Sequence, residues 1–183
     1  MWLILLWLGF SNLVFSADEH LLAETVNQLQ SRAKTGESEA QYMLGKLYYY
    51  GFGVKRNYKE ATKWFRAAAI QGHASSQFLL GEACEKGKGM RRDLKQAVKW
   101  YERAAFQKND LAIHNLSFLY AHGLGVRKNL IKAYALNKLI AAQGWEMVKS
   151  LKAELETNMD QEQKERAQIL SIELKKKIRT PLP

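Results

Sequence analysis

The sequence predicts an all-α fold, an α/α solenoid of about three full 36-residue helical hairpins with a capping element at each end, and three observations predict it. A seven-residue loop recurs as GFGVKRN (51–57), GKGMRRD (87–93) and GLGVRKN (123–129), at intervals of 36 residues. Shifting the chain by that interval superposes small and apolar residues in fixed columns, such as Leu44, Leu80 and Leu116, Ala61, Ala97 and Ala133, and Ala69, Ala105 and Ala141. Between the loops the apolar residues fall at helical spacing, with only 2 prolines in 183 residues. A fixed period in the thirties is the mark of stacked helix pairs, because each pair can bury its apolar face only against the next.

The elements follow in order. Residues 1–16 hold an apolar run from Trp2 to Phe10, a polar break at Ser11 and Asn12, and a second apolar patch to Phe15. They read as a secretory signal peptide cleaved after Ser16, although no Lys or Arg precedes the run. The competing reading is an uncleaved membrane anchor, for which the run falls short of the ~18 uninterrupted apolar residues a spanning helix needs. The expected location is therefore periplasmic or secreted. Residues 17–38 read as an N-terminal half repeat, with Ala33 and Gly36 in register with Ala69 and Gly72.

Three repeats occupy 39–74, 75–110 and 111–146. In the first, the helix from Ala40 to Tyr50 puts Leu44, Leu47 and Tyr48 on one face and stops at Gly51, where a left-handed residue ends a helix. The second helix, Tyr58 to Gln71, starts behind Asn57. Asp93 and Asn129 repeat that N-cap, and Glu60 and Gln96, three positions on, are expected to complete capping boxes that Lys132 cannot complete in the third copy. Residues 147–183 read as two closing helices, the second capped by Asp160 with Gln163.

Packing is expected to hold the array without covalent help, since the single cysteine, Cys84, cannot close an intrachain disulfide. Cys84 shares a column with Tyr48 and Tyr120 and reads as a buried thiol. Ala68, Ala69, Ala104 and Ala105, facing Gly45 and Gly81, permit close helix approach, while Trp64, Phe65, Trp100 and Tyr101 fill the wider gaps.

The pattern A-x-x-x-L-G in the first helix, G-x-G-V before an Asn or Asp cap, and A-x-x-W-[FY]-x-x-A-A in the second resembles the Sel-one-like repeat, a relative of the tetratricopeptide repeat. The resemblance covers residues 39 to 144. The third copy departs from it, with Ser117 in place of glycine and Leu136-Asn137 in place of the Trp-aromatic pair. The resemblance implies a protein-binding scaffold, with roles such as assembling or regulating cell-envelope complexes, restraining a membrane sensor or meeting host proteins. Cysteine-rich relatives have been linked to β-lactam hydrolysis, but this chain lacks their cysteines.

Chemistry is hard to find in the residues. His20, His73, His114 and His122 have no metal-ligand spacing, and no nucleophile-base order, paired carboxylates or nucleotide fingerprint stands out. The recurring glycine loop is not a phosphate cradle, because its cations are followed by Asn or Asp rather than Ser or Thr. No enzyme, cofactor, metal or small-molecule substrate is expected.

Charge is more telling. The chain carries a formal +10; residues 39–144 have 18 Lys and Arg against 7 Asp and Glu, and the remainder 10 against 11. Lys55, Arg56, Arg91, Arg92, Arg127 and Lys128 share one loop column and are expected to form a basic stripe once the repeats stack. The reading is an exported adaptor that binds another protein, one with an acidic surface if the stripe takes part. The alternative is a binder of anionic lipid headgroups or polysaccharide, and export disfavours nucleic acid. First helices commonly line the concave face of such arrays, which makes Tyr42, Lys46, Tyr49, Tyr50, Phe78, Glu82, Glu85, His114, Phe118 and His122 the contact candidates.

Overall fold

A computed structural model of the chain describes residues 24–179, and every regular element in that span is helical. The signal-peptide residues 1–16 and the first part of the half repeat lie outside the described residues. The elements are α1 (24–34), α2 (Ser38–Tyr50), α3 (Tyr58–Ile70), α4 (Ala74–Lys86), α5 (Leu94–Phe106), α6 (Asp110–His122), α7 (Leu130–Leu139), a 3-10 turn (Ala141–Gln143), α8 (Glu146–Thr157) and α9 (Gln161–Arg179). Hairpins α2/α3, α4/α5 and α6/α7 stack in sequence, with α3 packed on α4 and α5 on α6. The chain is a helical solenoid. No described helix is long and apolar enough to cross a membrane.

Local chemistry sets the helix ends. Gly51, Gly87 and Gly123 terminate the first helices in the left-handed region at φ 80, 70 and 69°. The second helices start at Asn57, Asp93 and Asn129, whose side chains accept from the amides of Glu60, Gln96 and Lys132. The expected capping boxes at Asn57 and Asp93 do not form. In each loop the N-cap amide instead donates 2.8 Å to a first-helix carbonyl, of Tyr48, Cys84 or Tyr120, so it has no need of an acidic side chain reaching back. Glu60 turns to Lys63, 3.7 Å away. The reciprocal box does form at the last helix, where the Asp160 amide donates to Gln163 and the Gln163 amide donates to Asp160.

Within a hairpin, the glycine of the first helix accommodates a ring from the second. A Cβ on Gly45 would lie 2.5 Å from Phe65, and one on Gly81 would lie 2.7 Å from Tyr101, so any side chain there would displace a fully buried ring. Burying such a ring stabilises the fold by about 1.5–3 kcal/mol. Cys84 is buried with its thiol toward the Met90 sulfur, and burial pushes its pKa up, which suits a packing role.

Between hairpins, glutamines hold the register. Gln41 and Gln77 donate to the carbonyls of Ala33 and Ala69, each at 3.1 Å, and they accept from Gln71 and Gln107, each at 2.8 Å. The same bond recurs at Ala33 of α1 and at Ala69 of α3.

The C-terminal end departs from the repeat. α7 stops at Leu139, three residues short of its counterparts, and Ala141 is exposed where Ala69 and Ala105 are buried. α9 rather than α8 takes the main contact with α7 and buries Ala167, Met159 is buried in the turn before it, and α8 seats Val148, Leu151 and Leu155.

Candidate functional site

Two surfaces remain after the hairpins have packed. The first is the exposed side of the first helices. Tyr42, Phe78 and His114 share one column, Lys46, Glu82 and Phe118 the next, and Tyr49 with Glu85 and Tyr50 with His122 the last, at the i, i+4, i+7 and i+8 steps that put side chains on one helical face. Tyr50 and Phe118 are exposed, at 53 and 39%. Others are already engaged within the chain. The Tyr101 hydroxyl donates to Glu85 at 2.6 Å, and burial followed by that bond pushes the Tyr101 pKa well up. Tyr42 stacks 4.6 Å from His73, and Phe78 packs 5.9 Å from Tyr101. Glu82 pairs with Lys86.

His122 lies 4.1 Å from the Phe118 ring and 3.3 Å from Glu154 of α8, so the chain itself closes that end of the face. His114 is half-buried with Nδ1 unpartnered, and burial lowers its pKa. Of the ten candidates, Tyr50, Phe118 and His122 are exposed, and Tyr42, Lys46 and Phe78 are part-covered.

At the N-terminal end, sequence reading overlooked two residues. Phe52 is 64% exposed and meets Tyr50 at 5.9 Å. Lys88, from the second repeat's loop, donates 2.7 Å to the Tyr49 hydroxyl and lies over the rings of Tyr49 and Tyr58; the hydrogen bond holds its pKa above the usual lysine range. Their columns carry no common residue type (Phe52, Lys88, Leu124), so periodicity could not single them out. An aromatic between two turn glycines was the available signal.

The second surface is the row of loops. Lys55, Arg56, Arg91, Arg92, Arg127 and Lys128 are all exposed. The loops are superposable: a Cβ on Gly51, Gly87 or Gly123 would sit 3.1, 3.4 or 3.2 Å from the Cβ of Arg56, Arg92 or Lys128. They also touch the preceding repeat. A Cβ on Gly89 would fall 2.1 Å from the Tyr58 carbonyl oxygen and one on Gly125 2.5 Å from the Leu94 backbone, while the Thr62 hydroxyl donates 3.0 Å to the Lys88 carbonyl. The second glycine of the second and third loops thus seats each of them on the start of the previous second helix. Among the described residues no group of His, Cys, Asp and Glu could hold a metal ion.

The columns that build both surfaces match the Sel1 repeat over residues 38–73, 74–108 and 110–145. The chain belongs to the Sel1 repeat family. It is similar to a Sel1 repeat protein of Oxalobacter formigenes, with 34% identity and a TM-score of 0.64 over 71% of this chain and 98% of that one. It is also similar to a protective antigen present in uropathogenic Escherichia coli strains that displays an SLR fold, with 25% identity and a TM-score of 0.64 over 87% of this chain and 44% of the antigen. A sel1-like repeat-containing protein of Acanthamoeba polyphaga mimivirus is 51% identical over 39 residues, 21% of this chain and 7% of that protein. Proteins of this family are generally protein-interaction scaffolds built from helical repeats, and generally not enzymes.

Proposed function

We propose that this Sel1 repeat protein is an exported adaptor that holds a partner protein against the concave, first-helix face of its solenoid, in the assembly or regulation of cell-envelope complexes or in contact with host proteins. The observation that carries the reading is the shared face of α2, α4 and α6, where Tyr50 and Phe118 stand exposed beside the part-covered Tyr42, Lys46 and Phe78. Tyrosine and phenylalanine so placed supply large contact area at small cost in side-chain entropy. Export is supported by the apolar segment ahead of Ser16.

The test is capture from cell-envelope extracts on the immobilised mature chain, with a Tyr50→Ala/Phe118→Ala variant beside it and Ile70→Ala, an exposed apolar residue on a second helix, as control. A partner that survives moderate salt, is lost with the double variant and is kept with the control supports the reading. Equal capture by all three chains refutes the placement. Cell fractionation tests export separately: a cytosolic chain that retains residues 1–16 would remove that part.

A further inference from the structure

We propose a second docking surface, the loop row, that takes an acidic polypeptide segment laid in extended form across the three loops. The proposal rests on the adaptor reading and names the chemistry of a partner segment. Six exposed cations, Lys55, Arg56, Arg91, Arg92, Arg127 and Lys128, occupy equivalent places in successive loops, and among the described residues none of them pairs with a carboxylate.

Of the acids that could have neutralised them, Asp93 stands in the row itself as the cap of α5, and the others bond to other groups. Residues 39–144 contain seven, and each is engaged: Glu39 with His73, Glu60 with Lys63, Glu82 with Lys86, Glu85 with Tyr101, Asp93 with the Gln96 amide, Glu102 with Tyr120 and Lys132, and Asp110 with Gln143. The positive charge of the row is therefore left for something outside the repeats. Ordinary solubility would be served as well by cations scattered over every face.

Shape favours a chain over a membrane. One hollow is formed by residues 90–96 with Gly125, and the next by residues 126–132 with Tyr120 and Gln163, so that Arg91, Arg92 and Lys95 border one recess and Arg127, Lys128 and Lys132 the other. Exposed cations bordering separate open hollows suit carboxylates spaced along a single strand, whereas a bilayer presents its headgroups in a plane. Packed helix layers lie about 8–10 Å apart, and an extended chain advances ~3.3 Å per residue. Successive first helices are separated by a second helix packed between them, so carboxylates spread along one extended strand, rather than a single side chain, are needed to meet successive loops. Phe52, exposed at the first loop, offers an apolar anchor at one end.

The experiment titrates the mature protein with a fluorescent peptide of about twelve residues bearing glutamate at every third position, reading anisotropy. Parallel arms use vesicles rich in phosphatidylglycerol and the same peptide with lysine for glutamate. The expected result is binding of the glutamate peptide alone, weakening as salt rises from ~50 to ~300 mM. Arg91→Glu/Arg92→Glu should weaken it at least about tenfold, and Arg127→Ser/Lys128→Ser should weaken it less, with unchanged circular dichroism in both.

Three results overturn the proposal: vesicle binding without peptide binding, peptide binding indifferent to both loop variants, or binding to neither. The Tyr50→Ala/Phe118→Ala chain separates the two readings. If it loses its envelope partner yet keeps the peptide, both stand. If the loop variants keep the envelope partner and the wild type ignores the peptide, the loop-row proposal alone falls. If the peptide binds as expected while capture is indifferent to Tyr50 and Phe118, the first-helix reading alone falls.

Discussion

Gly125 and Gly144 share a backbone conformation and differ in what surrounds them, which makes them a direct test of how the repeats stack. Their φ angles are 70 and 68°, but a Cβ on Gly144 would meet nothing within 4 Å, whereas one on Gly125 would lie 2.5 Å from the Leu94 carbonyl carbon and oxygen. Gly144→Ala should carry only the left-handed penalty, roughly 1–2 kcal/mol. Gly125→Ala carries the same penalty and adds overpacking against backbone that cannot turn away, about 1–3 kcal/mol more. The expected totals are about 1–2 against about 2–5 kcal/mol, read from urea melts followed by circular dichroism. Because the added carbon presses on the seam between two repeats, the excess should also appear as reduced cooperativity. If the two variants lose stability equally, within about 0.5 kcal/mol, then the third loop does not rest on α5.

Trp100→Ala should cost about 3–5 kcal/mol, since the indole is buried between repeats with Arg103 stacked 4.6 Å away; a loss under about 1 kcal/mol would mean the ring is dispensable. Asn57→Ala should cost about 1 kcal/mol through loss of its bonds to the Lys59 and Glu60 amides, while Glu60→Ala should cost less than about 0.5 kcal/mol because no capping box forms. Equal losses from these two would restore the box. Burial holds the His114 imidazole below the usual 6.5, so on acidification the unfolded chain takes up that proton first. Stability at this site is complete above about pH 6.5 and declines as the pH drops toward the lowered folded value. Thermal melts between about pH 7 and 5 should flatten for His114→Phe, and an unchanged slope would refute the assignment.

What the sequence revealed and what it hid divide by the range of the interaction. Asn57, Asp93 and Asn129 bond amides two or three residues away, and the turn glycines obey their own φ, so both were readable from a short window. The capping boxes were misread because the competing bond, from the Asn57 amide to the Tyr48 carbonyl, spans the loop and leaves no mark in local spacing. The basic row was legible as a column of like charges. The seating of the second and third loops was not, since the reason for Gly89 and Gly125 lies in Tyr58 and Leu94, about a repeat away in sequence. The 36-residue register places α8 where a fourth first helix would begin, yet α9 takes the main contact with α7, a choice made by tertiary packing at an end the period does not describe.

The third repeat's two departures from the pattern are one structural change. In the first two hairpins glycine faces a ring, Gly45 to Phe65 and Gly81 to Tyr101; in the third, Ser117 stands in the glycine column and Asn137 in the ring column. With no ring to admit, the site can hold a hydroxyl, and Ser117 donates 2.7 Å to the Ala133 carbonyl. Asn137, 1% exposed, donates 3.2 Å to the Val148 carbonyl and so ties α7 to α8. Asn137→Phe should therefore destabilise twice, by driving a ring into Ser117 and by freeing α8. Ser117→Gly in the same chain should relieve the first effect and leave the second. A double-mutant cycle should then return a coupling of about 1 kcal/mol or more in the rescuing direction, with hydrogen exchange in α8 still accelerated. Additive losses would mean that the ring can turn elsewhere and that the two columns are independent. Full rescue, with α8 as protected as in the wild type, would mean that the asparagine is not what turns the repeat array over to its closing helices.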